Sequence, residues 1–328
     1  MLEINQVHQG NCLELLKQID DNVIQCIVTS PPYWGLRDYG HEEQIGLEET
    51  PEKYVDNMVE IFKEVKRVLK EDGTIWLNLG DTYYSKGGAS RHKGYADPKY
   101  PNGRNGEFEE PQTNPHKFLK AKDLVGIPWR VALAIQKRLG LYLRQCIIWH
   151  KPNAMPSSVT DRPSTDYEFI FLFSKSEKYY YDSGAILEEY KEPLNRCGGS
   201  MKKSAKNEKI DPNNMANANS LVRAGRDMRP NSEGRNCRAV WSFNTQPYPK
   251  AHFAVFPQEL PERCIKAGTK EGDIVMDIFA GSGTTLWVAK RMLRKFIGFE
   301  LSQEYVNLVK KRICQTILTE VSADSSQP

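Results

Sequence analysis

Short apolar runs and longer stretches of helical spacing alternate along most of the chain. Residues 23–28 form an apolar run that ends at Thr29, just before prolines that cannot continue a central sheet ladder, which predicts a buried strand feeding a loop. Beyond Pro51 the apolar residues recur at helical spacing up to residues 72–73, and residues 74–79 form the next apolar run. The pattern predicts alternating strands and helices, as in an α/β fold.

The same alternation returns towards the C-terminus. Pro128 opens a predicted helix that closes before Gly140, and Pro257 opens another that stops at Gly268. A strand at 274–278 then leads through a glycine turn into a helix and a further strand, which together make a βαβ unit. The remaining predicted elements are strands 141–149, 168–173 and 296–299, a helix ending near Arg291, a last helix capped by Ser302, and a flexible tail at 319–328.

Two stretches lack this rhythm. Residues 80–120 hold several glycines, prolines and tyrosines, as in a long functional or disordered loop. From Ser183 to Arg238 the rhythm is lost again, and residues 191–238 carry eleven basic and five acidic side chains, a balance of +6 in a chain whose net charge is +3. Concentrated basic charge with asparagine and serine suits nucleic-acid contact, although a solvated, partly disordered insertion explains it equally well. The candidate DNA-binding residues are Arg223, Arg226, Arg229 and Arg235, with Lys86 and Arg91 in the first stretch.

A glycine turn follows the predicted strand at 274–278. Gly281 and Gly283 let the backbone pass close to a ligand, and the next helix presents unpaired N–H groups. The turn has neither the lysine of a P-loop nor the third glycine of a dinucleotide fingerprint. Asp277 before the turn suits an ammonium group, and Glu300 at the end of the next strand suits ribose hydroxyls. Together they indicate S-adenosylmethionine, whereas either acid alone is also explained as a cap or a surface charge.

The loop after the first buried strand reads Ser30-Pro31-Pro32-Tyr33. The amine of cytosine or adenine is a poor nucleophile because its lone pair is delocalised, and acceptors for both its hydrogens direct that lone pair at a methyl donor. The Ser30 hydroxyl and the Pro31 carbonyl are such acceptors, and Pro32 fixes the chain without an N–H of its own. Tyr33 offers a ring face on which a base can stack. The alternative interpretation is an ordinary Pro-Pro turn with a core tyrosine.

Composition excludes several other classes of protein. No apolar run in the 328 residues approaches the roughly 20 needed to span a bilayer. The first residues lack the basic start and apolar core of a signal peptide, so we expect a cytoplasmic protein. The seven cysteines form no C-x-x-C pair for zinc, and none follows a proline, which disfavours methylation of cytosine carbon 5 by a Pro-Cys nucleophile. We expect no metal centre.

These motifs resemble those of the DNA amino-methyltransferases that modify cytosine N4 or adenine N6. The resemblance rests on residues 30–33 and 277–284, with further similarity at residues 78–83, 148–153 and 252–257. It implies an α/β fold with a Rossmann-like S-adenosylmethionine-dependent methyltransferase sheet. Because the catalytic loop precedes the cofactor turn, the order is similar to that of the circularly permuted β group.

The resemblance also implies a division of the chain and a set of site residues. A catalytic half at 1–182 and a cofactor-binding half at 241–318 flank an inserted target-recognition region at 183–240. Two departures from the family pattern are Ile278, where proline is frequent, and Asn11, where aspartate is frequent. The implied residues are Ser30, Pro31, Pro32 and Tyr33 for the flipped base, and Asp277, Phe279, Ala280, Gly281, Gly283, Thr284 and Glu300 for the cofactor, with Phe256 and Pro257 nearby.

The base that is methylated depends on one side chain. Ser30 favours cytosine N4, because aspartate is common at this position in adenine-N6 enzymes. The alternatives are an adenine-N6 enzyme, a methyltransferase acting on RNA or protein glutamine, and a DNA-binding module that has lost its chemistry. We expect double-stranded DNA as the partner and hence association with the nucleoid, and no membrane. A homodimer and a cognate restriction endonuclease are left open.

Overall fold

A computed structural model describes residues 2–36, 38–41, 43–85, 88–89, 116–189, 234–246 and 257–324. The chain divides into two compact units, one made of Met1–Asp182 with Ala239–Pro328 and the other of Ser183–Arg238. The second unit has nearly the bounds of the stretch for which the sequence predicts target recognition, and that role stays a prediction. Within the described ranges, no helix is long and apolar enough to cross a membrane.

An eight-stranded sheet forms the centre of the first unit. Its strands are β1 Gln6–Gln9, β2 Ile24–Thr29, β3 Leu69–Leu79, β6 Tyr142–His150, β7 Tyr167–Ser174, β8 Val240–Ser242, β9 Ile274–Asp277 and β10 Lys295–Glu300, while β4 Tyr84–Ser85 and β5 Gly88–Ala89 pair separately. The order across the sheet is β1-β10-β9-β2-β3-β7-β6-β8. The five neighbouring strands β1, β10, β9, β2 and β3 are parallel to one another, and β7 is antiparallel to both of its neighbours, β3 and β6.

Helices flank this sheet. The helix that follows the loop at 30–33 begins at Pro51, where the Thr50 hydroxyl accepts a hydrogen bond from the Lys53 N–H at 3.2 Å. Its apolar face, which includes Met58 and Phe62, is fully buried in the core. The helices are α1 Cys12–Leu16, α2 Pro51–Val68, α3 Ile127–Leu139, α4 Glu259–Gly268, α5 Thr284–Arg291 and α6 Gln303–Asp324, and Gly184–Ile186 in the second unit forms a 3-10 turn.

Strands β2 and β9 lie side by side near the centre of the sheet, and the chain leaves them in opposite directions. After β2 it continues to β3 on one side, and after β9 to β10 on the other. Open α/β sheets bind ligands beyond the carboxyl ends of the strands at such a switch point. The antiparallel direction of β7 brings its amino end to the same edge. Segments far apart in the sequence therefore meet at one edge of the sheet.

Most predicted elements are confirmed to within about two residues, but two boundaries are wrong. The helix predicted to reach residues 72–73 ends at Val68, because Leu69 is extended (φ −70°, ψ 134°) and pairs with Ile24 as the first residue of β3. Pairing with a neighbouring strand overrides the helical spacing there. The start of the tail predicted at 319–328 also differs, because α6 continues to Asp324, and the flexibility of the tail stays a prediction. No glycine or proline interrupts α6, so nothing in its sequence stops the helix.

Several short elements were not predicted. Three of them, β1, α1 and β8, contain four, five and three residues and are too short to show a clear period. The two-residue strands β4 and β5 and the 3-10 turn at Gly184–Ile186 lie in the two stretches predicted to lack regular structure. The Asn11 side chain caps α1 by accepting a hydrogen bond from the Leu13 N–H at 2.9 Å. Asn11, where relatives frequently have aspartate, therefore has a structural role in this chain.

Candidate active site

The loop of residues 30–33 leaves β2 at the carboxyl edge and is held by its surroundings. The Tyr54 hydroxyl donates a hydrogen bond to the Pro32 carbonyl at 3.0 Å, and the adjacent Trp34 is 1% exposed. Pro31 is buried, and none of the described residues donates a hydrogen bond to its carbonyl oxygen. One carbonyl of the diproline is thus occupied by the protein, while the other can accept from a ligand.

Hydrogen bonds join the Tyr33 hydroxyl to its own loop and to strands β3 and β7. The Ser30 hydroxyl donates to the Tyr33 hydroxyl at 3.1 Å. The Tyr33 hydroxyl lies 2.7 Å from Glu168 Oε2 and 3.1 Å from Asn78 Oδ1. The Lys151 ammonium pairs with the other carboxylate oxygen of Glu168. Burial, together with the charge of Glu168, raises the pKa of Tyr33 well above its ordinary value, so the phenol stays protonated.

The Tyr33 ring lies against the end of β3. A Cβ on Gly80 would stand 2.6 Å from Cε2 of the ring, so only glycine leaves room for the tyrosine here. Asn78 is the second-last residue of β3. Its side chain donates to the Phe169 carbonyl at 3.1 Å and to Glu168 Oε2 at 3.0 Å. Packing therefore fixes the ring, and hydrogen bonds fix its hydroxyl.

The two glycines of the turn after β9 differ in their surroundings. Both have positive φ, 51° at Gly281 and 76° at Gly283. A Cβ on Gly283 would lie 2.7 Å from the side chain of Val309, whereas a Cβ on Gly281 would meet no described atom within 4 Å. Gly283 therefore lets α6 pack on the turn. Gly281 borders open space, in which a ligand can approach the backbone.

Asp277 ends β9 and joins it to β2. Its Oδ1 accepts hydrogen bonds from the Thr29 hydroxyl at 2.7 Å and from the Phe279 N–H at 3.1 Å. The side chain is 1% exposed, and burial raises its pKa from 3.8 to about 6. Its Oδ2 is buried without a hydrogen-bond partner among the described residues, since the Thr285 hydroxyl donates to the Val28 carbonyl at 3.3 Å. Such an orphaned acceptor is rare and suits a donor from a ligand.

Glu300 ends β10 and is tied to the glycine turn. Its Oε2 accepts from the Gly281 N–H at 2.8 Å, and its Oε1 accepts from the Ser302 N–H at 2.9 Å. Burial raises the pKa of this carboxyl above its ordinary value. Each carboxylate oxygen keeps a second lone pair. Glu300 is thus held beside the turn and can still accept a hydrogen bond from a ligand.

The other predicted cofactor residues differ in how deeply their side chains are buried. Phe279 is half-buried, whereas Ala280 and Thr284 are buried. The Thr284 hydroxyl accepts a hydrogen bond from the Arg312 guanidinium at 3.1 Å, so a ligand would meet Thr284 through its backbone. Pro257 is buried just before α4, and no hydrogen bond among the described residues joins it to the turn.

The predicted DNA-binding residues are described only in part. Arg235, in the second unit, pairs with the Glu188 carboxylate at 3.2 Å, and the two residues also exchange backbone hydrogen bonds of 2.9 Å. This pairing occupies the Arg235 guanidinium with a protein carboxylate. The residues that lie outside the described ranges are Lys86, Arg91, Arg223, Arg226, Arg229 and, from the cofactor set, Phe256.

Sequence reasoning missed four residues of the site. From the sequence, Thr29 is only the end of a strand, and Asn78 and Lys151 stand in segments of family resemblance that imply no role for them. Glu168 stands near the start of an otherwise apolar strand, and an acid in that position is the available signal. The antiparallel direction of β7 was also needed to place it, and that direction cannot be read from the strand itself.

Comparison with known proteins assigns the family. The model of the N6/N4 methylases, described as DNA methylase, matches residues 24–311. The chain is 43% identical to the Type II methyltransferase M.Cfr9I of Citrobacter freundii over 95% of this chain and 89% of that protein. It is also 43% identical to the Type II methyltransferase M.SmaI of Serratia marcescens, over 93% of this chain and 89% of that protein. The chain belongs to this family and is an S-adenosylmethionine-dependent, site-specific DNA amino-methyltransferase.

Solved structures confirm the expected fold. The PvuII cytosine-N4-specific DNA methyltransferase aligns with a TM-score of 0.59 at 22% identity, covering 93% of this chain and 85% of that one. A putative DNA modification methylase of Thermus thermophilus, solved with S-adenosyl-L-methionine, aligns with a TM-score of 0.55 at 21% identity, covering 94% and 93%. The Rossmann-like methyltransferase sheet predicted from the motifs is therefore correct.

The residues at the switch point fit the cofactor of this class. Asp277 offers a buried acceptor without a partner among the described residues, and Gly281 borders open space. Glu300 supplies carboxylate oxygens beside that space. When bound, S-adenosylmethionine supplies a methyl group on a positively charged sulfur, which keeps the bonding electron pair when the methyl group leaves. The carboxylates also place negative charge where a cationic ligand is favoured.

We expect Gly283→Ala to destabilise the fold and Gly281→Ala to do so far less. Alanine at either position carries the cost of positive φ, roughly 1–2 kcal/mol, and at Gly283 the collision with Val309 adds roughly 1–3 kcal/mol. Urea unfolding of both variants measures the difference. Gly281→Ala should instead weaken S-adenosylmethionine binding, measured by calorimetry. Equal stabilities of the two variants would contradict this division of roles.

We expect Asp277→Asn to remove a stability loss that the wild type suffers at higher pH. Between pH 3.8 and about 6 the folded protein holds a proton that the unfolded chain has released, so its stability falls as the pH rises through that window. Relative to the variant, the wild type without cofactor should therefore lose roughly 1 kcal/mol between pH 5 and pH 8. Urea unfolding at both pH values measures it.

The control for this prediction is Asp161→Asn. Asp161 is an exposed carboxyl whose pKa is lowered by Lys122, so its substitution should not reproduce the effect. If the difference in unfolding free energy between wild type and Asp277→Asn is the same at both pH values, burial does not raise the pKa of Asp277.

Proposed function

We propose that this enzyme methylates the N4 amine of cytosine at a specific site in double-stranded DNA. The observation that carries the proposal is the 2.7 Å hydrogen bond between Thr29 and Asp277, which sets the catalytic loop directly beside the glycine turn. Ser30 in place of aspartate supports cytosine rather than adenine. So does the relative M.PvuII of Proteus hauseri, 28% identical over 90% of this chain, whose solved structure is named cytosine-N4-specific.

In this proposal the loop at 30–33 binds the extruded base. The Ser30 hydroxyl and the Pro31 carbonyl accept the two amine hydrogens, and Pro32 holds that geometry while its own carbonyl is engaged by Tyr54. Both acceptors keep the lone pair of the amine directed away from the ring. The half-buried Tyr33 ring stacks on the base, a contact worth about 1–3 kcal/mol, which offsets part of the cost of extrusion.

The cofactor occupies the other side of the same edge. Asp277 accepts from the ammonium group through Oδ2, and Glu300 accepts from the ribose hydroxyls. Phe279, Ala280, Gly281, Gly283 and Thr284 line it, mainly through their backbone, with Phe256 and Pro257 nearby. Because burial disfavours the charged form of Asp277, pairing with a cation relieves part of that penalty. The free protein thus keeps a cost that the ligand removes.

Target recognition belongs to residues 183–240 in this proposal. Their +6 balance over 191–238 supplies the positive charge that the rest of the chain lacks. The halves at 1–182 and 241–318 then supply the base pocket and the cofactor pocket. Relatives named Type II methyltransferases support a restriction endonuclease as the functional partner. The enzyme would act on the nucleoid in the cytoplasm.

The base assignment is tested by the methylated product. Duplex DNA from cells that express the enzyme is digested to nucleosides, and we expect N4-methylcytosine by mass spectrometry, with none from cells that express Tyr33→Ala. Long-read sequencing of the same DNA gives the target motif. N6-methyladenine in place of N4-methylcytosine would refute the cytosine assignment and leave the site geometry intact.

We expect the triple variant Arg223→Gln, Arg226→Gln, Arg229→Gln to bind DNA more weakly with a shallower salt dependence. Each arginine that no longer neutralises a phosphate reduces the slope of log K against log salt by about 0.9. Binding is measured by fluorescence anisotropy between low and high salt. Arg138→Gln is the control, because this exposed side chain pairs with Asp56 outside the second unit. An unchanged slope in the triple variant would move the DNA-binding surface elsewhere, to the loop that holds Lys86 and Arg91.

A further inference from the structure

Three side chains of the site form hydrogen bonds in series. The Ser30 hydroxyl donates to the Tyr33 hydroxyl at 3.1 Å, and the Tyr33 hydroxyl donates to Glu168 Oε2 at 2.7 Å. The two bonds have the same direction of donation: each donor lies nearer to Ser30 and each acceptor nearer to the Glu168 carboxylate. The Tyr33 hydroxyl has a single proton, and the shorter of its two contacts with acceptors is the one to Glu168.

The carboxylate at the end of this series is held in place from several sides. Asn78 Nδ2 donates to Oε2 at 3.0 Å, and the Lys151 ammonium pairs with Oε1. Lys151 is itself placed 4.7 Å from the centre of the Trp149 ring. The side chain of Glu168 is 16% exposed, so it is positioned by the protein and still reaches solvent.

Methylation of an exocyclic amine leaves a surplus proton on nitrogen. As the nitrogen lone pair forms the bond to the methyl carbon, nitrogen becomes cationic and must lose one of its two hydrogens. A serine hydroxyl is too weak a base to keep that proton, and the high pKa of Tyr33 means that its phenol gives up a proton only when it receives another. The reaction therefore requires an acceptor beyond both hydroxyls.

We propose that Ser30, Tyr33 and Glu168 form a proton relay that deprotonates the target amine as it is methylated. The N–H bond breaks with its electron pair left on nitrogen, and the proton passes to Ser30 Oγ. The Ser30 proton passes to the Tyr33 oxygen, and the Tyr33 proton passes to Glu168 Oε2, which releases it to solvent. This inference rests on the proposed binding of the amine by the loop at 30–33.

The other acid near the loop is not connected to this series. Asp277 accepts from Thr29 and from the Phe279 N–H, and neither bond involves a loop hydroxyl. The Tyr54 hydroxyl donates to a carbonyl and cannot pass a proton to it. Among the described residues, Glu168 is therefore the acid at which the hydrogen bonds from Ser30 end.

The relay is tested with substitutions that break one link each and keep the shape. Tyr33→Phe retains the ring face for stacking and removes the hydroxyl. Glu168→Gln keeps one oxygen that can accept from Tyr33 and Asn78, loses the pair with Lys151, and removes the proton acceptor. Single-turnover rate constants are measured with enzyme in excess, by transfer of radioactive methyl to duplex DNA, in H2O and in D2O. DNA Kd and thermal midpoint are measured alongside.

We expect each variant to lower the single-turnover rate constant at least about a hundredfold, the weak end of general acid–base catalysis, with DNA Kd and thermal midpoint close to wild type. The double variant should be no slower than the slower single variant, because both break one path. The solvent isotope effect of the wild type should shrink in all three. Wild-type rates in either single variant, or multiplied losses in the double, would overturn the relay.

A failure of the relay is distinguishable from a failure of the proposed site. Tyr33→Ala removes the ring face as well as the hydroxyl and should be slower than Tyr33→Phe. If Tyr33→Ala is inactive while Tyr33→Phe and Glu168→Gln match the wild type, the loop binds the base and the relay is wrong. If Tyr33→Ala also matches the wild type, the base does not bind at this loop and both ideas are wrong.

Discussion

The structure depends on one contact across the switch point of the sheet, the hydrogen bond from the Thr29 hydroxyl to the Asp277 carboxylate. It joins the ends of two adjacent strands whose residues are 248 positions apart in the sequence. The loop proposed to bind the base starts one residue after Thr29, and the glycine turn starts just after Asp277. In the proposed function, this hydrogen bond and the backbone pairing of β2 with β9 together set the distance between the methyl acceptor and the methyl donor.

The same carboxylate shows how binding and stability oppose each other here. Asp277 is buried, has one oxygen without a partner among the described residues, and its pKa is raised to about 6. Asparagine in its place would keep an acceptor for Thr29, avoid the cost of burying a charge, and remove the carboxylate oxygen that suits a cationic ligand. Both carboxylate oxygens of Glu300 accept a hydrogen bond from a backbone N–H group. Of these two carboxylates, only Asp277 therefore carries the cost of a buried acceptor without a partner among the described residues.

The base side of the site depends on an antiparallel strand. Because β7 runs against β3, its early residue Glu168 reaches the carboxyl edge, where it meets Tyr33 and Asn78. Gly80 provides the room that lets the tyrosine ring lie there. The hydroxyl of Tyr33 thus connects the loop to a carboxylate, while its ring is the face on which the base stacks in the proposed function.

The sequence by itself determined most of the longer strands and helices, the two motifs and the family, because apolar periodicity and special turn residues are local properties. It did not determine that the helix after Pro51 ends at Val68, since strand pairing of Leu69 decides that. Only the tertiary structure assigned roles to Thr29, Asn78, Lys151 and Glu168. Each acts through a partner on another strand, and strand order and direction come from packing of the whole sheet.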